Sequence, residues 1–273
     1  MDIPFSKLHG NGNDFIVIDE FRHTVIPDDM KAQFAQLYCD RRFGIGADGV
    51  IYLLPSAKSS IRMRILQPDE SEAEMCGNGI RCLAKFALDE GYVKESCTVE
   101  TLAGELGVSM GYTDDGFTAT IAMTTPQFDR KKIPATGKGE YGETIGGYKV
   151  HAVNTGVPHA VILVDSVDAV DIDAVAPEIR HHKTFLKGAN VNFVEKTGKN
   201  SIRIRTFERG VEGETLSCAT GATASAVVAH HLGLVGDVVN VETNGGPLVI
   251  TLKDGGATMQ GPAATVFSGI IPF

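Results

Sequence analysis

Cysteine is scarce in this chain: Cys39, Cys76, Cys82, Cys97 and Cys218 are the only five in 273 residues, and no two form a CxxC pair. An odd, sparse set without that spacing argues against a disulfide framework and against a zinc site. Long apolar runs are also missing, and no window approaches the roughly 18 apolar residues that a spanning helix needs. The opening stretch MDIPFSKLHGNGND has neither the basic nor the apolar segment of a secretory leader. These absences set the expectation of a cytoplasmic protein with no membrane partner. Acidic residues outnumber basic ones, giving a net charge of −9. With no long Lys/Arg run either, nucleic acid is a poor partner and a small molecule a better one.

What is present is size: 273 residues at 43% apolar content can bury a large core, in one big domain or two ordinary ones. Short β-type runs at 15–19, 49–54, 61–66, 117–123, 161–164, 202–207 and 248–252 are separated by Gly, Asp and Asn turn signals. Helical patterns cover 27–39, 79–90, 172–181 and 220–232. The polar, Gly- and Lys-rich stretch 124–147 reads as a connector.

Two of the helical segments match. MCGNGIRCLAKFALDEG and SCATGATASAVVAHHLG each open on Cys, place Gly three residues later and stop at Gly. The shift of 142 residues from Cys76 to Cys218 also carries Gly79 to Gly221, Gly91 to Gly233 and Val99-Glu100-Thr101 to Val241-Glu242-Thr243. Upstream, IRMRIL and IRIRTF match one residue out of step. The chain is an internal duplication, and it predicts two similar β-rich halves, each packed around one central helix whose terminal Gly is a left-handed C-cap.

A lone cysteine is most often an inert small hydrophobe, and Cys39, Cys82 and Cys97 take that reading. Cys76 and Cys218 do not, because they occupy one position of two repeats, each at a predicted helix start. A helix N-terminus offers unpaired N–H groups and a partial positive charge, which bind an anion and favour a thiolate. Two acid/base thiols beside an anion hole suit inversion of a carbon centre: one removes the α-proton from one face while the other returns a proton to the opposite face. The carbanion's charge would pass into the α-carboxylate, where a well-placed peptide donor is worth roughly 3–4 kcal/mol.

At these residues the sequence resembles the diaminopimelate epimerase family of cofactor-independent, two-cysteine enzymes in lysine and peptidoglycan precursor synthesis. The likeness runs end to end through KLHGNGNDFIVID, GIGADG, SEAEMCGNGIRC, GVPHA, GANVNF and FERGVEGETLSCATGA. It implies an α+β fold of two pseudo-symmetric β-rich lobes with the active site in the cleft between them. The lobes are placed at 1–119, with 262–273 returning to it, and at 120–261. It further implies that Cys76 and Cys218 alternate as base and acid and that His159 and Glu208 position or polarise the thiols. Backbone amides of Gly77, Asn78, Ala219 and Thr220 would hold the reacting carboxylate. Asn13, Asn190, Glu208 and Arg209 would grip the remote end, Arg209 through its bidentate fork. Outside that resemblance, a Glu-Arg pair is usually solvated and an Asn beside Gly is usually a turn residue. No cofactor and no metal are expected, the partner is a small-molecule amino acid, and a homodimer is compatible with the reading.

Two departures bear on the substrate. Gln67 and Val157 stand where many relatives carry asparagine; Gln67 can substitute with a longer amide, Val157 cannot donate, and Asn154 is the nearest amide to stand in for it. A related racemase of another amino acid, such as histidine, is therefore the alternative. GIGADG also satisfies GxGxxG, as a nicotinamide-dependent oxidoreductase would, but charged YCDRRF precedes it in place of a buried strand and no helical run follows. His181-His182 and His230-His231 are adjacent pairs that point to different sides of a helix, which suits solvated or capping roles better than a metal. A non-catalytic module that keeps the fold is the third class, and the presence of both cysteines with His159 and Glu208 counts against it.

Overall fold

The structure, a computed structural model, describes residues 2–273, which form two compact units: the chain up to Ala122 together with Gly261–Phe273, and Met123–Gln260. The first unit begins with β1 (Asp2–Gly10), β2 (Asn13–Asp19), α1 (Lys31–Tyr38), β3 (Gly49–Leu54), β4 (Ile61–Leu66) and β5 (Glu72–Ala73). It continues through α2 (Gly77–Asp89), β6 (Ser96–Thr101), β7 (Gly104–Thr113) and β8 (Gly116–Met123). The second unit begins with β9 (Gly142–Ile145), β10 (Tyr148–Asn154), β11 (Pro158–Leu163), α3 (Ile172–Arg180), β12 (Asn190–Gly198), β13 (Ser201–Glu208) and β14 (Gly213–Thr215). It is completed by α4 (Ala219–His231), β15 (Val238–Thr243), β16 (Gly246–Lys253) and β17 (Gly256–Pro262), after which β18 (Ala264–Pro272) belongs to the first unit. The stretch read as a connector therefore ends in a strand, β9.

Strand pairing shows the duplication in full. β1 pairs antiparallel with β2, β2 parallel with β3, β3 antiparallel with β4, and β4 parallel with β6. In the second unit β10, β11, β12, β13 and β15 repeat the same sequence of directions. The register repeats too: Ile61 lies opposite Val99, and Ile202 opposite Val241. That places the one-residue slip noted in the sequence between each β4-type strand and its following helix. Each parallel step is crossed by a short helix, α1 or α3, as parallel strands require a long connection.

The central helices end alike. Gly91 (φ 74°) and Gly233 (φ 72°) are left-handed. Gly91 N–H donates to Leu88 O and Tyr92 N–H to Ala87 O, while Gly233 donates to His230 O and Leu234 to Ala229 O. Both are Schellman caps at the predicted glycines. α4 is made almost wholly of small residues and is buried along most of its length, packing on β10, β11, β12, β13, β15 and β16. Its buried hydroxyls are satisfied within the helix, Thr223 donating to Ala219 O (2.9 Å) and Ser225 to Gly221 O (2.8 Å).

In the first unit the outer face of the sheet packs on α1 through Ile3, Ile16, Ile18, Phe34 and Tyr52. A buried ion pair sits in that layer: Lys31 Nζ lies 2.9 Å from Glu20 Oε2, donates to Ile26 O at 2.6 Å, and stands 5.0 Å from the centre of the Tyr52 ring. Among the described residues, no helix is long and apolar enough to cross a membrane.

Candidate active site

In the first unit Cys76 is the N-cap of α2, in extended conformation, and its sulfur accepts from the Gly79 N–H at 3.5 Å. The thiol also lies 3.4 Å from Asn13 Oδ1, which accepts from Asn78 Nδ2 at 3.3 Å. Asn13 is held by its other end, Nδ2 donating to Asp48 Oδ2 at 2.5 Å. Asp48 in turn takes a bond from Arg41 (2.6 Å), which also grips both oxygens of Asp14. Burial alone would raise the Asp14 carboxyl, but the bonds from Arg41 and Lys7 outweigh it and bring it down to about 2. Asn13 was expected at the remote end of a substrate; the structure places its amide oxygen against the cysteine. Gln67 is exposed in the turn after β4, its amide oxygen accepting from Ser71 in that turn.

Under α2 lies Arg81, fully buried, donating to Asn78 Oδ1 (2.9 Å), Asn11 Oδ1 (2.7 Å) and Pro262 O (3.0 Å). Burial lowers the guanidinium to about 10, against the nearby Cys82 and Cys76 thiols, which favour its charge. Arg81 ties the turn after β1, the first turn of the helix and the returning chain end together. Sequence reading missed it, together with Asp48 and Arg41, although Asp48 is the acid of GIGADG. That motif runs from the end of α1 into β3, with no helix after it, so it supports the cysteine group and is no dinucleotide loop.

In the second unit Cys218 is the extended N-cap of α4, 6% exposed, with its sulfur 3.4 Å from Thr220 Oγ1. Thr155 Oγ1 donates to Thr220 O at 3.0 Å and anchors this helix start to the turn after β10. His159 on β11 is fully buried; its Nδ1 is 3.1 Å from Asn192 Nδ2 and its Nε2 is 3.5 Å from Asn190 Nδ2. Burial first, and then the charge of Arg209, push the ring down to about 3. The native ring is thus neutral, while an unfolded histidine binds a proton below its ordinary value of 6.5. His159 therefore removes stability progressively as pH falls from 6.5 toward 3. Acid titration of the fold should show proton uptake on unfolding in that window, and less of it in His159→Gln.

Asn190 Oδ1 accepts from the Arg209 N–H at 2.7 Å, and Arg209 Nη1 donates to Lys187 O at 3.2 Å. Glu208, at the end of β13, accepts from Thr215 Oγ1 at 3.0 Å. Asn154 donates to Lys132 O and accepts from Gly156 N–H, so its amide is committed within its own turn and does not stand in for an asparagine at Val157. His230 and His231 sit at the far end of α4, bonded to Asp237 and Glu140, and His181 faces Glu212. No metal-binding cluster of His, Cys, Asp or Glu occurs among the described residues.

The remaining cysteines behave as small hydrophobes. Burial pushes the thiols of Cys39 and Cys82 up to about 12 and that of Cys97 up to about 11.

The glycine three residues after each cysteine is required to different degrees. A Cβ on Gly79 would meet Ile51 Cδ1 at 3.2 Å, whereas one on Gly221 would fall 2.5 Å from Asn192 Oδ1 and 3.3 Å from Thr206 Oγ1. A terminal methyl can rotate away; a buried, bonded amide cannot. Gly221→Ala is expected to cost about 1–3 kcal/mol in urea unfolding, the usual range for overpacking, and Gly79→Ala clearly less. Equal losses would contradict the close approach in the second unit.

A repeated unit of five principal strands around one helix, with a cysteine at each helix N-cap, defines a duplicated α+β protein built for two-thiol chemistry. The chain belongs to the diaminopimelate epimerase family, whose model matches residues 5–128 and 151–266. It is 53% identical over 98% of its length, and 96% of the relative's, to a diaminopimelate epimerase of Methanothrix thermoacetophila. Against that of Methanocella arvoryzae it is 55% identical, with the same coverage of both chains. Among solved structures, the fold is shared with a phenazine biosynthesis protein of Bacillus anthracis, at TM-score 0.72, 17% identity and full coverage of both chains. It is shared as well with a probable proline racemase of Agrobacterium radiobacter, at TM-score 0.67, 20% identity and coverage of 99% and 93%.

Proposed function

We propose that the protein converts LL-diaminopimelate to meso-diaminopimelate without a cofactor, Cys76 and Cys218 serving opposite faces of one α-carbon. The observation that carries this reading is the identical placement of the two cysteines, each the extended N-cap of the central helix in its own repeat. One thiolate takes the α-proton and becomes a thiol, and the other thiol gives its proton to the opposite face and becomes a thiolate. Protons and charge balance, and the two roles exchange on the return reaction. First-turn amides at Gly77, Asn78, Ala219 and Thr220 lie where α-helix geometry leaves N–H groups without intrahelical acceptors, which suits the α-carboxylate as charge flows into it. Glu208 and His159 flank the reaction as positioning groups.

The remote end of the substrate carries a second carboxylate and amine, and a buried charge left unpaired costs several kcal/mol. Arg209, with its backbone fixed by Asn190, supplies the carboxylate's partner. The products support lysine and cell-wall precursor synthesis. Incubation with LL-diaminopimelate in D₂O should place deuterium at the α-carbon as the meso form appears. Arg209→Lys should lower kcat/KM for diaminopimelate by about tenfold or more, mainly through KM, because an ammonium does not reproduce the guanidinium fork. A wild-type preference for diaminopimelate over L-histidine of less than tenfold, or one untouched by Arg209→Lys, would count against this substrate.

A further inference from the structure

The two repeats differ at one buried place. Beneath the first turn of α2, the cross-strand pair Ile51 and Ile65 faces Gly79; at the same register in the second unit, Asn192 and Thr206 face Gly221. Asn192 is fully buried and Thr206 is 3% exposed. Putting an amide where the duplicate keeps isoleucine is costly unless every polar atom is bonded, and here each one is. Asn192 Oδ1 accepts from Thr206 Oγ1 at 3.0 Å, while Nδ2 is 3.1 Å from both Ala160 O and His159 Nδ1.

Ala160 O can only accept, so the edge of the Asn192 amide that faces it must be the NH₂. The second hydrogen of that group then points at His159 Nδ1, which must offer a lone pair. A neutral imidazole with an acceptor at Nδ1 has its hydrogen on Nε2. The Asn190 contact to Nε2, at 3.5 Å, is at the outer limit of a hydrogen bond and does not compete with the one at 3.1 Å. We infer that Asn192 is a positioning residue that holds His159 as a neutral ring with its proton on Nε2, so that His159 serves the reaction as a fixed N–H donor and takes up no proton in the cycle.

This inference rests on the two-thiol reading and sharpens it: both proton transfers fall to the cysteines, and the ring's part is to donate a hydrogen bond from Nε2. The charge that acts on the ring is that of Arg209, which opposes protonation in the same sense as burial does.

The test is ¹⁵N NMR of histidine-labelled full-length protein, with the His159 signals assigned by their loss in His159→Gln. At neutral pH the wild type should show the Nε2–H tautomer, unchanged on acidification to about pH 5. In Asn192→Asp the carboxylate accepts from Nδ1–H, so the tautomer should reverse. Its kcat should fall by about 10- to 100-fold, the range for losing the outer partner of an oriented histidine in metal sites, with KM little changed and an added ionisation in the pH profile of kcat. Asn192→Leu, which restores the apolar character of the other repeat, should show mixed tautomers and a lowered kcat, and it decides the matter if the Asp variant does not fold. A wild-type ring protonated at Nδ1, or an Asn192→Leu protein with wild-type tautomer and kcat, overturns the inference. Failure of wild-type protein to exchange the α-hydrogen of diaminopimelate would instead overturn the two-thiol reading, while an Nε2–H signal in that same protein would still support the tautomer assignment.

Discussion

Cys76→Ala and Cys218→Ala should each lower turnover of LL-diaminopimelate by at least about 10²-fold, and up to 10⁴-fold, the range for removing a proton-transfer group. Each thiol faces a different side of the carbon, so neither can act for the other. Both variants should keep the wild-type circular dichroism, since alanine at a helix N-cap in extended conformation needs no backbone change; for Cys76 only a long bond from the Gly79 N–H is lost. Cys97→Ser is the control: its thiol is held protonated by burial and lies on β6, so its loss should leave kcat within a few-fold. Near wild-type turnover in either alanine variant would sink the two-base scheme.

Lys31→Met should destabilise the first unit by about 3–5 kcal/mol, the usual result of removing one partner from a buried ion pair. Glu20 stays behind with its side chain fully buried, accepting only the Val25 and Ile26 N–H groups (3.1 and 2.8 Å) through Oε1. Methionine fills the volume under the Tyr52 ring, which separates the electrostatic loss from a cavity. The double variant Glu20→Gln/Lys31→Met should recover a large part of the loss in urea unfolding. A single variant within 1 kcal/mol of wild type would show that solvent reaches Glu20 and that the pair is not buried in solution.

Much of this was legible in the sequence because it is written as local pattern repeated. Cys76 and Cys218, Gly79 and Gly221, and Gly91 and Gly233 recur at one spacing, and the helix starts, close approaches and C-caps follow from that spacing alone. β9 escaped notice because four residues flanked by Gly and Lys carry no alternation. The second layer of the site escaped for a different reason. Asp48 reaches Asn13 across 35 residues, Arg81 reaches Asn11 across 70, and Asn192 reaches His159 across 33. Such bonds are set by strand register and helix placement, and no short motif encodes them. Asn192 was within reach: it stands in GANVNF, where the repeat has the isoleucine of GVIYLL.

The last strand has a consequence for how the molecule is made. β18 lies antiparallel along β1, with Ile3 opposite Ile271 and Phe5 opposite Gly269, in the place that β9 takes along β10. The second unit is one unbroken stretch of chain, whereas the first needs both ends of it. On a ribosome the N-terminal strands emerge first yet wait for the final dozen residues before β1 gains its neighbour, so the later-made half can close before the earlier-made half is finished. A nascent chain stalled before β18 would present β1 as a bare, hydrogen-bonding edge, the kind of surface that recruits chaperones or another copy's strand. Loss of a few C-terminal residues should therefore be felt first as poor yield and aggregation, well before any change in the chemistry of the two thiols.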